Sequence, residues 1–253
     1  VLIFMTPDLH LQDHVATITL RRPDVANRLA PEDLPVLISH ARRVNALDDV
    51  RVLVLRGEGK YFCSGYDISE VKSSQEKGSS FGEMVDVFEQ CRAVTIAVIH
   101  GGVYGGATDM ALACDFRVGT TAAEMFMPAA RLGLHFYQAG LERYVTRLGV
   151  DTAKRLFLTC ERLDARDMKD CGFLTHLVEP DALGATVSGL TETLSAMAPL
   201  PLFGMKKHLN LIARGRHDPE AIAHDVFQTV HSEDLKEGGT AWREKRKPKF
   251  KGR

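Results

Sequence analysis

Two apolar segments that each run into glycines constrain the fold of this chain more than any other feature of its sequence. VRVLVLRGEG spans residues 50–59, and TIAVIHGGVYGG spans residues 95–106. A strand that is apolar on both faces is typical of a buried strand in a parallel sheet. Helical stretches at 81–93, 106–113 and 139–149 separate or follow these strands. Strand, glycine turn and helix in succession predict an α/β fold with a largely parallel sheet.

The rest of the chain extends this pattern and then becomes mostly helical from residue 151 onward. We predict a core over residues 1–195 and a C-terminal helical region over residues 196–253, which would serve as a lid or an oligomer surface. Four further elements are predicted: a strand at 15–23, a helix at 29–47, a strand at 114–120 and a short apolar piece at 173–180.

Composition excludes several classes of protein. The 253 residues are 45% apolar and 26% charged, which is ordinary for a globular chain with one sizeable core. The net charge of −1 gives no reason to expect nucleic acid or an anionic membrane as a partner. We expect no membrane span and no signal peptide. Five widely spaced cysteines without a CxxC pair indicate reduced thiols, a cytoplasmic location and no metal site.

The two glycine turns are the strongest indication of chemistry. FCSGYD (62–67) and GGVYGGATD (101–109) place glycine where a buried strand passes into a helix, and the first amides of a helix are unpaired donors. Two such turns side by side could direct two N–H groups at one acyl oxygen, which is an oxyanion hole. Neither segment has the spacing of a nucleotide-binding loop. The alternative is that these glycines only close turns.

The same segments resemble the crotonase, or enoyl-CoA hydratase/isomerase, superfamily. The resemblance implies a crotonase-like spiral of ββα units with a C-terminal helical trimerisation region. It also implies an acyl-CoA thioester substrate, no metal, no cofactor beyond the coenzyme A of the substrate, and assembly as a homotrimer or a dimer of trimers. Six segments carry it in family order: VATITLRRPDVANRL, VRVLVLRGEGKYFCSGYDISEV, GGVYGGATDMALACDFRV, AEMFMPAARLGL, APLPLFGMKKHLN and SEDLKEGGTAWREKRKPKFKG.

Carried onto this sequence, the resemblance assigns binding roles to several residues. The oxyanion-hole amides fall on Tyr66 and Gly106, which would act through their backbone N–H groups. The basic tail at 243–253 would either approach the coenzyme A phosphates or form a solvated chain end. The remaining residues implied to contact coenzyme A are Ala26, Arg28, Leu29, Ser64, Lys206 and Lys207.

The sequence departs from the hydratases of the family at their two glutamates. Asp109 stands at the first position and Ala129 at the second. Addition of water needs a base for the water and an acid at the carbon next to the thioester, and a methyl group supplies neither. We therefore expect weak or absent hydratase activity, with Asp109 as the acid/base. Some dienoyl-CoA isomerases of the family carry aspartate at the first position, but their other acids map to Ala129 and Tyr137.

The loop GLHFYQAG (133–140) supplies further candidates. His135 and Tyr137 are a possible proton donor and an orienting hydroxyl, although each residue type more often serves packing. Glu142, Arg143 and Glu124 are interpreted as helix-surface pairs or a subunit contact. We expect the acyl pocket to be lined from 66–90 and 125–140.

Three other functions remain open from the sequence. A malonyl-type acyl-CoA decarboxylase needs an oxyanion hole for its enolate and little else, and that branch of the family also lacks the second glutamate. A family member without acid/base residues would only bind acyl-CoA. RNA binding through the basic tail is disfavoured by the near-neutral net charge.

Overall fold

A computed structural model describes residues 5–67 and 81–253, and a six-stranded sheet forms the centre of this structure. The strand order is β1-β2-β3-β4-β6-β9, in which β1 pairs antiparallel and the other neighbours pair parallel. A smaller sheet has the order β5-β7-β8. The strands are β1 Asp8–Gln12, β2 Val15–Leu20, β3 Val52–Gly57, β4 Val94–Ile99, β5 Val103–Tyr104, β6 Phe116–Thr120, β7 Glu124–Phe126, β8 Arg162–Asp164 and β9 His176–Val178.

Helices flank the sheet and then form the C-terminal part of the chain, which confirms the predicted α/β class. The predicted helices at 81–93, 106–113 and 139–149 correspond to α2, α3 and α4. The α-helices of the described residues are α1 Asp33–Asn45, α2 Phe81–Glu89, α3 Gly106–Ala113, α4 Gln138–Leu148, α5 Val150–Thr159, α6 Ala165–Asp170, α7 Leu183–Ser195, α8 Pro199–Ala213, α9 Pro219–Val230 and α10 Glu233–Glu244.

The two strands that end in glycine turns are neighbours at the middle of the large sheet. Val52 of β3 pairs with Val94 of β4 in parallel register, and nearly every residue of both strands is buried. Burial on both faces explains why these segments lack polar alternation. Because parallel strands point the same way, both glycine turns leave the sheet at the same edge.

Two isolated bridges then hold the turns and a preceding loop together. Leu29 pairs with Tyr66, and Cys63 pairs with Val103. All five cysteine thiols are free, and burial raises the pKa of the Cys63 thiol to about 12, so this side chain acts as a small apolar residue. Within the described parts of the chain, no helix has the length and hydropathy needed to cross a membrane.

Asn27 fixes the loop that precedes the first turn. Its side chain is buried and donates from Nδ2 to the carbonyl oxygens of Glu58 at 2.8 Å and Tyr61 at 2.9 Å. Its Oδ1 accepts a hydrogen bond from the Arg22 N–H at 2.9 Å. The backbone at Asn27 is left-handed, with φ of 53°, a conformation that asparagine tolerates better than most residues. One side chain thus joins the loop before residue 30 to the loop that follows β3.

Replacement of Asn27 by alanine should destabilise the fold by about 2–3 kcal/mol, because buried carbonyl oxygens lose their donor and a left-handed backbone loses a tolerant residue. Urea unfolding at equilibrium measures the loss. Asp24→Ala in the same loop is the control, since Asp24 is exposed and should change stability by less than about 0.5 kcal/mol. Equal losses in both variants would contradict the role given to Asn27.

Candidate active site

The structure brings the two predicted oxyanion residues to one place. Gly65 has a φ of +96°, and a Cβ added there would lie 2.8 Å from the Tyr104 carbonyl oxygen and 3.1 Å from the Gly106 nitrogen. The turn before Tyr66 therefore lies directly against the start of α3. Gly106 is the first residue of that helix, so its N–H has no acceptor within the helix. Only glycine at position 65 permits this close approach.

A cavity of about 700 Å³ opens beside these turns. Its described lining comes from 64–66, 81–90, 105–106 and 127–139, within or close to the predicted ranges 66–90 and 125–140; the part at 68–80 lies outside the described residues. Tyr66, Phe81 and Tyr137 supply aromatic surface. The ring centroids of Tyr66 and Phe81 lie 5.7 Å apart. The walls are thus mainly apolar and aromatic near the place where an acyl oxygen would meet the two turns.

Asp109 lies on the first turn of α3, with its side chain fully buried, and it is not among the described residues that line the cavity. Tyr137 lines the cavity, and its hydroxyl donates to Oδ2 of Asp109. Arg143 donates from Nε to Oδ1 at 2.9 Å and from Nη2 to Oδ2 at 3.3 Å. Tyr137 is therefore the member of this group that faces the cavity.

The surroundings of Asp109 act on its proton affinity in opposite directions. Burial raises the pKa of the Asp109 carboxyl, while the Arg143 guanidinium and the Tyr137 hydroxyl lower it. Burial and the adjacent Asp109 carboxylate both raise the pKa of Tyr137, so its hydroxyl keeps its proton. A carboxyl with a raised pKa and a protonated phenol in contact with it are suited to passing a proton.

Arg143 corrects one interpretation made from the sequence. The expectation that it forms a helix-surface pair is wrong: its side chain is fully buried and contacts three carboxylates. Besides Asp109, it donates to Glu89 at 2.8 Å and to Asp86 at 3.1 Å. Burial of a guanidinium requires such compensation, because an unpaired buried charge is strongly unfavourable.

Glu142 forms ion pairs at the surface of its helix, as expected, whereas Glu124 lies on strand β7 and pairs with a residue of the neighbouring strand. Glu142 lies 2.9 Å from Arg214 and 3.2 Å from Arg216. Glu124 lies 3.3 Å from Arg162.

Asp86 and Glu89 are partners of Arg143 that the sequence interpretation missed. Both lie on α2, three residues apart and so on one face of the helix, and Asp86 also lines the cavity. Burial raises the pKa of Asp86, and Arg143 lowers it. The i, i+3 spacing of the two acids is visible in the sequence, but nothing there connects it to an arginine more than 50 residues away.

The residues implied to contact coenzyme A through the first loop are brought together around residues 64–67. The carbonyl oxygen of Ala26 accepts the Ser64 N–H at 2.9 Å, and the Leu29 N–H donates to Gly65 O at 2.8 Å. Arg28 is exposed, and its guanidinium lies 3.3 Å from the Asp67 carboxylate. This loop therefore borders the first oxyanion turn.

Lys206 and Lys207 lie elsewhere, on α8, beside a second cavity of about 930 Å³. Lys206 is mostly buried, and its Nζ lies 2.7 Å from Asp115 Oδ2. Lys207 Nζ lies 2.6 Å from Asp225 Oδ2. In the basic tail, Arg246 pairs with Glu237 at 2.6 Å. In the single chain these cations are thus paired with carboxylates away from the oxyanion turns.

The last two predicted positions both line the first cavity. His135 has its Nδ1 2.7 Å from the Phe136 carbonyl oxygen. Ala129 presents a methyl group beside Pro128 where family hydratases are expected to carry a glutamate. Among residues 5–67 and 81–253, no group of three or more His, Cys, Asp or Glu side chains could hold a metal ion.

Comparison with known proteins identifies the family of the chain. The family model described as enoyl-CoA hydratase/isomerase matches residues 10–253. YngF of Bacillus subtilis (strain 168), named for the same family, is 31% identical over 252 residues and covers 95% of each chain. The (E)-benzylidenesuccinyl-CoA hydratase of Thauera aromatica is 29% identical, covering 98% of this chain and 100% of the relative. A crystal structure of an enoyl-CoA hydratase/carnithine racemase from Magnetospirillum magneticum superposes with a TM-score of 0.91 at 25% identity, covering 98% of this chain and 96% of that one.

Fold and comparisons together define an acyl-CoA enzyme with the crotonase fold. The chain belongs to the enoyl-CoA hydratase/isomerase family. The family and fold predicted from the six sequence segments are confirmed.

Replacement of Arg143 by methionine should cost about 3–5 kcal/mol, because it leaves buried carboxylates without their cation. The loss should also depend on pH. Burial raises the pKa of Asp109 above its unfolded value, so the folded state holds this proton more tightly and loses stability as pH rises above about 4. Arg143 lowers that pKa, so its removal enlarges the effect. Urea unfolding between about pH 4 and pH 7 should show a deficit that grows with pH.

Arg216→Met is the control for this prediction, since Arg216 is exposed and pairs only with Glu142 among the described residues. It should change stability by less than about 1 kcal/mol at any of these pH values. A deficit for Arg143→Met that shrinks as pH rises would contradict the assignment.

Proposed function

We propose that the enzyme moves a double bond in an enoyl-CoA thioester by proton transfer through an enolate. The observation that carries the proposal is the chain of contacts from Tyr137 at the cavity wall to Asp109 and on to Arg143. This arrangement offers one proton-transfer pair beside the two glycine turns. Asp109 acts as the acid/base, and Tyr137 connects it to the substrate.

The enolate oxygen would be held by the backbone N–H groups of Tyr66 and Gly106. The contact between Gly65 and the Gly106 nitrogen supports this, because it brings the two turns within reach of one oxygen atom. Backbone donors aimed at a developing negative charge lower the barrier without reorganising during the reaction. The loop that carries Ala26, Arg28 and Leu29 would hold the coenzyme A portion beside Ser64. The reaction uses no cofactor beyond the coenzyme A of the substrate.

Proton removal proceeds through the phenol without forming a free phenolate. The C–H bond next to the thioester breaks, and its electron pair forms the carbon–carbon double bond of the enolate. The Tyr137 oxygen accepts this proton while its own hydrogen passes to Asp109 Oδ2, along the hydrogen bond already present. Arg143 stabilises the carboxylate before transfer and remains charged throughout.

Water addition is disfavoured because Ala129 lines the cavity where a water-activating carboxylate would be needed. The decarboxylase alternative needs little besides the oxyanion hole, so it would give no role to the contact between Tyr137 and the buried Asp109. Double-bond migration uses that contact for proton transfer.

We also propose that the C-terminal helices assemble the enzyme as a homotrimer or dimer of trimers. On α8, Met205, Leu209 and Ile212 are exposed at helical spacing and form an apolar stripe in the single chain. On α9, Val226 and Phe227 are also exposed. Apolar surface of this kind is typical of a protein–protein contact.

The Asp109→Asn and Tyr137→Phe variants test the proton-transfer pair. Each should reduce isomerisation of 3-hexenoyl-CoA by about 100-fold or more, because the transferred proton loses its acceptor or its path. Binding of hexanoyl-CoA, measured by calorimetry, should stay within about threefold. Spectrophotometric assays with 3-hexenoyl-CoA and with crotonyl-CoA separate isomerisation from hydration. Rapid hydration of crotonyl-CoA without isomerisation would refute the proposal.

Gly65→Ala tests the oxyanion hole. A methyl group there would press against the Tyr104 carbonyl oxygen and the Gly106 nitrogen and separate the two turns. We expect kcat to fall about 10- to 1000-fold with a smaller change in KM. Gly133→Ala is matched for backbone strain, since Gly133 has a φ of +72° but no neighbouring atom within 4 Å of an added Cβ. A similar loss of kcat in both variants would point to strain alone.

A further inference from the structure

Asp86 is the carboxylate of the Arg143 cluster that borders the cavity. We propose that Asp86 is a second catalytic residue, which delivers a proton to the far end of the shifting double bond, at C4 of a 3-enoyl thioester. This inference rests on the function proposed above and deepens it, because the Tyr137–Asp109 pair then serves only the carbon next to the thioester.

Asp86 and Asp109 differ in solvent exposure, as expected if one delivers a proton at C4 and the other receives a proton from C2. The Asp86 side chain is 35% exposed, whereas that of Asp109 is 0% exposed. Arg143 contacts both oxygens of Asp109, but both hydrogen bonds from Arg143 to Asp86 go to Oδ1. The guanidinium of Arg143 therefore binds Oδ1 of Asp86, and another side of the Asp86 side chain borders the cavity.

Helix α2 places Asp86 at a defined position along the cavity wall. Phe81 at its start packs against Gly106, where an added Cβ would lie 2.7 Å from the ring. Gly82 packs against Tyr137, where an added Cβ would lie 3.1 Å from the ring. Asp86 follows Gly82 by four residues and so lies on the same face, one turn farther along the helix.

The order along α2 matches the order of atoms in the substrate. The thioester oxygen would lie at Gly106 beside Phe81, the adjacent carbon at Tyr137 beside Gly82, and the more distant carbon at Asp86. A 1,3-shift of a double bond removes a proton at the second of these positions and adds one at the third. Two separate groups in this order supply both steps.

Glu89 does not take this role, although it shares Arg143. Its side chain is 9% exposed and is also bound by Arg214, and it borders only the second cavity among the described residues. Burial raises the pKa of Asp86 above its usual value, with Glu89 and Asp109 acting in the same direction and Arg143 and Arg214 opposing them. The raised pKa increases the share of the protonated form, which can donate.

The enolate electrons re-form the thioester carbonyl, a double bond forms between C2 and C3, and the former C3–C4 double bond takes the proton of Asp86 at C4. Asp109 has then gained one proton and Asp86 has lost one. Asp86 recovers its proton from water, since it also borders the second cavity of about 930 Å³, and Asp109 passes its proton through Tyr137 to water that enters the first cavity once the product has left.

Hydrogen exchange in D2O separates the two proton positions. Exchange at C2 of hexanoyl-CoA, which has no double bond to shift, reports the Tyr137–Asp109 pair alone. Isomerisation of 3-hexenoyl-CoA reports both groups, and the wild-type product should carry solvent deuterium at C4. We expect Asp86→Asn to reduce isomerisation about 100-fold while C2 exchange stays within about threefold. Asp86→Glu should restore part of the isomerisation.

Glu89→Gln is the matched control, because it removes another carboxylate from the same helix and the same arginine. It should lower stability but leave the ratio of isomerisation to C2 exchange unchanged. An equal loss of that ratio in Glu89→Gln would overturn the role of Asp86, and so would Asp86→Asn isomerising at the wild-type rate. Retention of the C2 hydrogen at C4 would also overturn it. Absence of C2 exchange in the wild type would instead refute the proposed function itself.

Discussion

The buried guanidinium of Arg143 is the interaction on which the rest of the site depends. It holds Asp109 of α3 and both Asp86 and Glu89 of α2 from its own position on α4. Three helices that pack around the cavity are therefore joined by one charged group. An arginine can do this because its planar fork carries five donors and stays charged when buried. The same contacts that fix the helices also set the proton affinity of the acidic groups.

A second constraint comes from the parallel sheet. Adjacent strands β3 and β4 end at the same edge, so their glycine turns meet there without any long-range signal in the sequence. Gly65 then allows one turn to touch the first amide of α3. The sheet thus brings together the two turns at which the proposed function places the acyl oxygen, and the Arg143 cluster fixes which acids lie near them.

Much of the fold could be predicted because its signals are local. The apolar runs at β3 and β4 and the helices α2, α3 and α4 all follow from patterns within about ten residues. The meeting of Tyr66 and Gly106 follows from parallel pairing together with the family resemblance. Arg143 could not be placed in this way, because a charged residue on an amphipathic helix has no local signature of burial. The pairing of Asp86 with Arg143 could not be predicted for the same reason.

The position of α2 has a consequence for substrate choice. Phe81 and Gly82 at its start line the cavity that we propose as the acyl site, while Asp86 and Glu89 farther along are bonded to Arg143. An acyl group bulky enough to displace this helix would also pull two carboxylates away from the guanidinium. That shift would strengthen the hold of Arg143 on Asp109 and make Asp109 a weaker base. The size of the acyl group would in this way affect the basicity of Asp109. A thioester that fits poorly would be bound by an enzyme less able to deprotonate it.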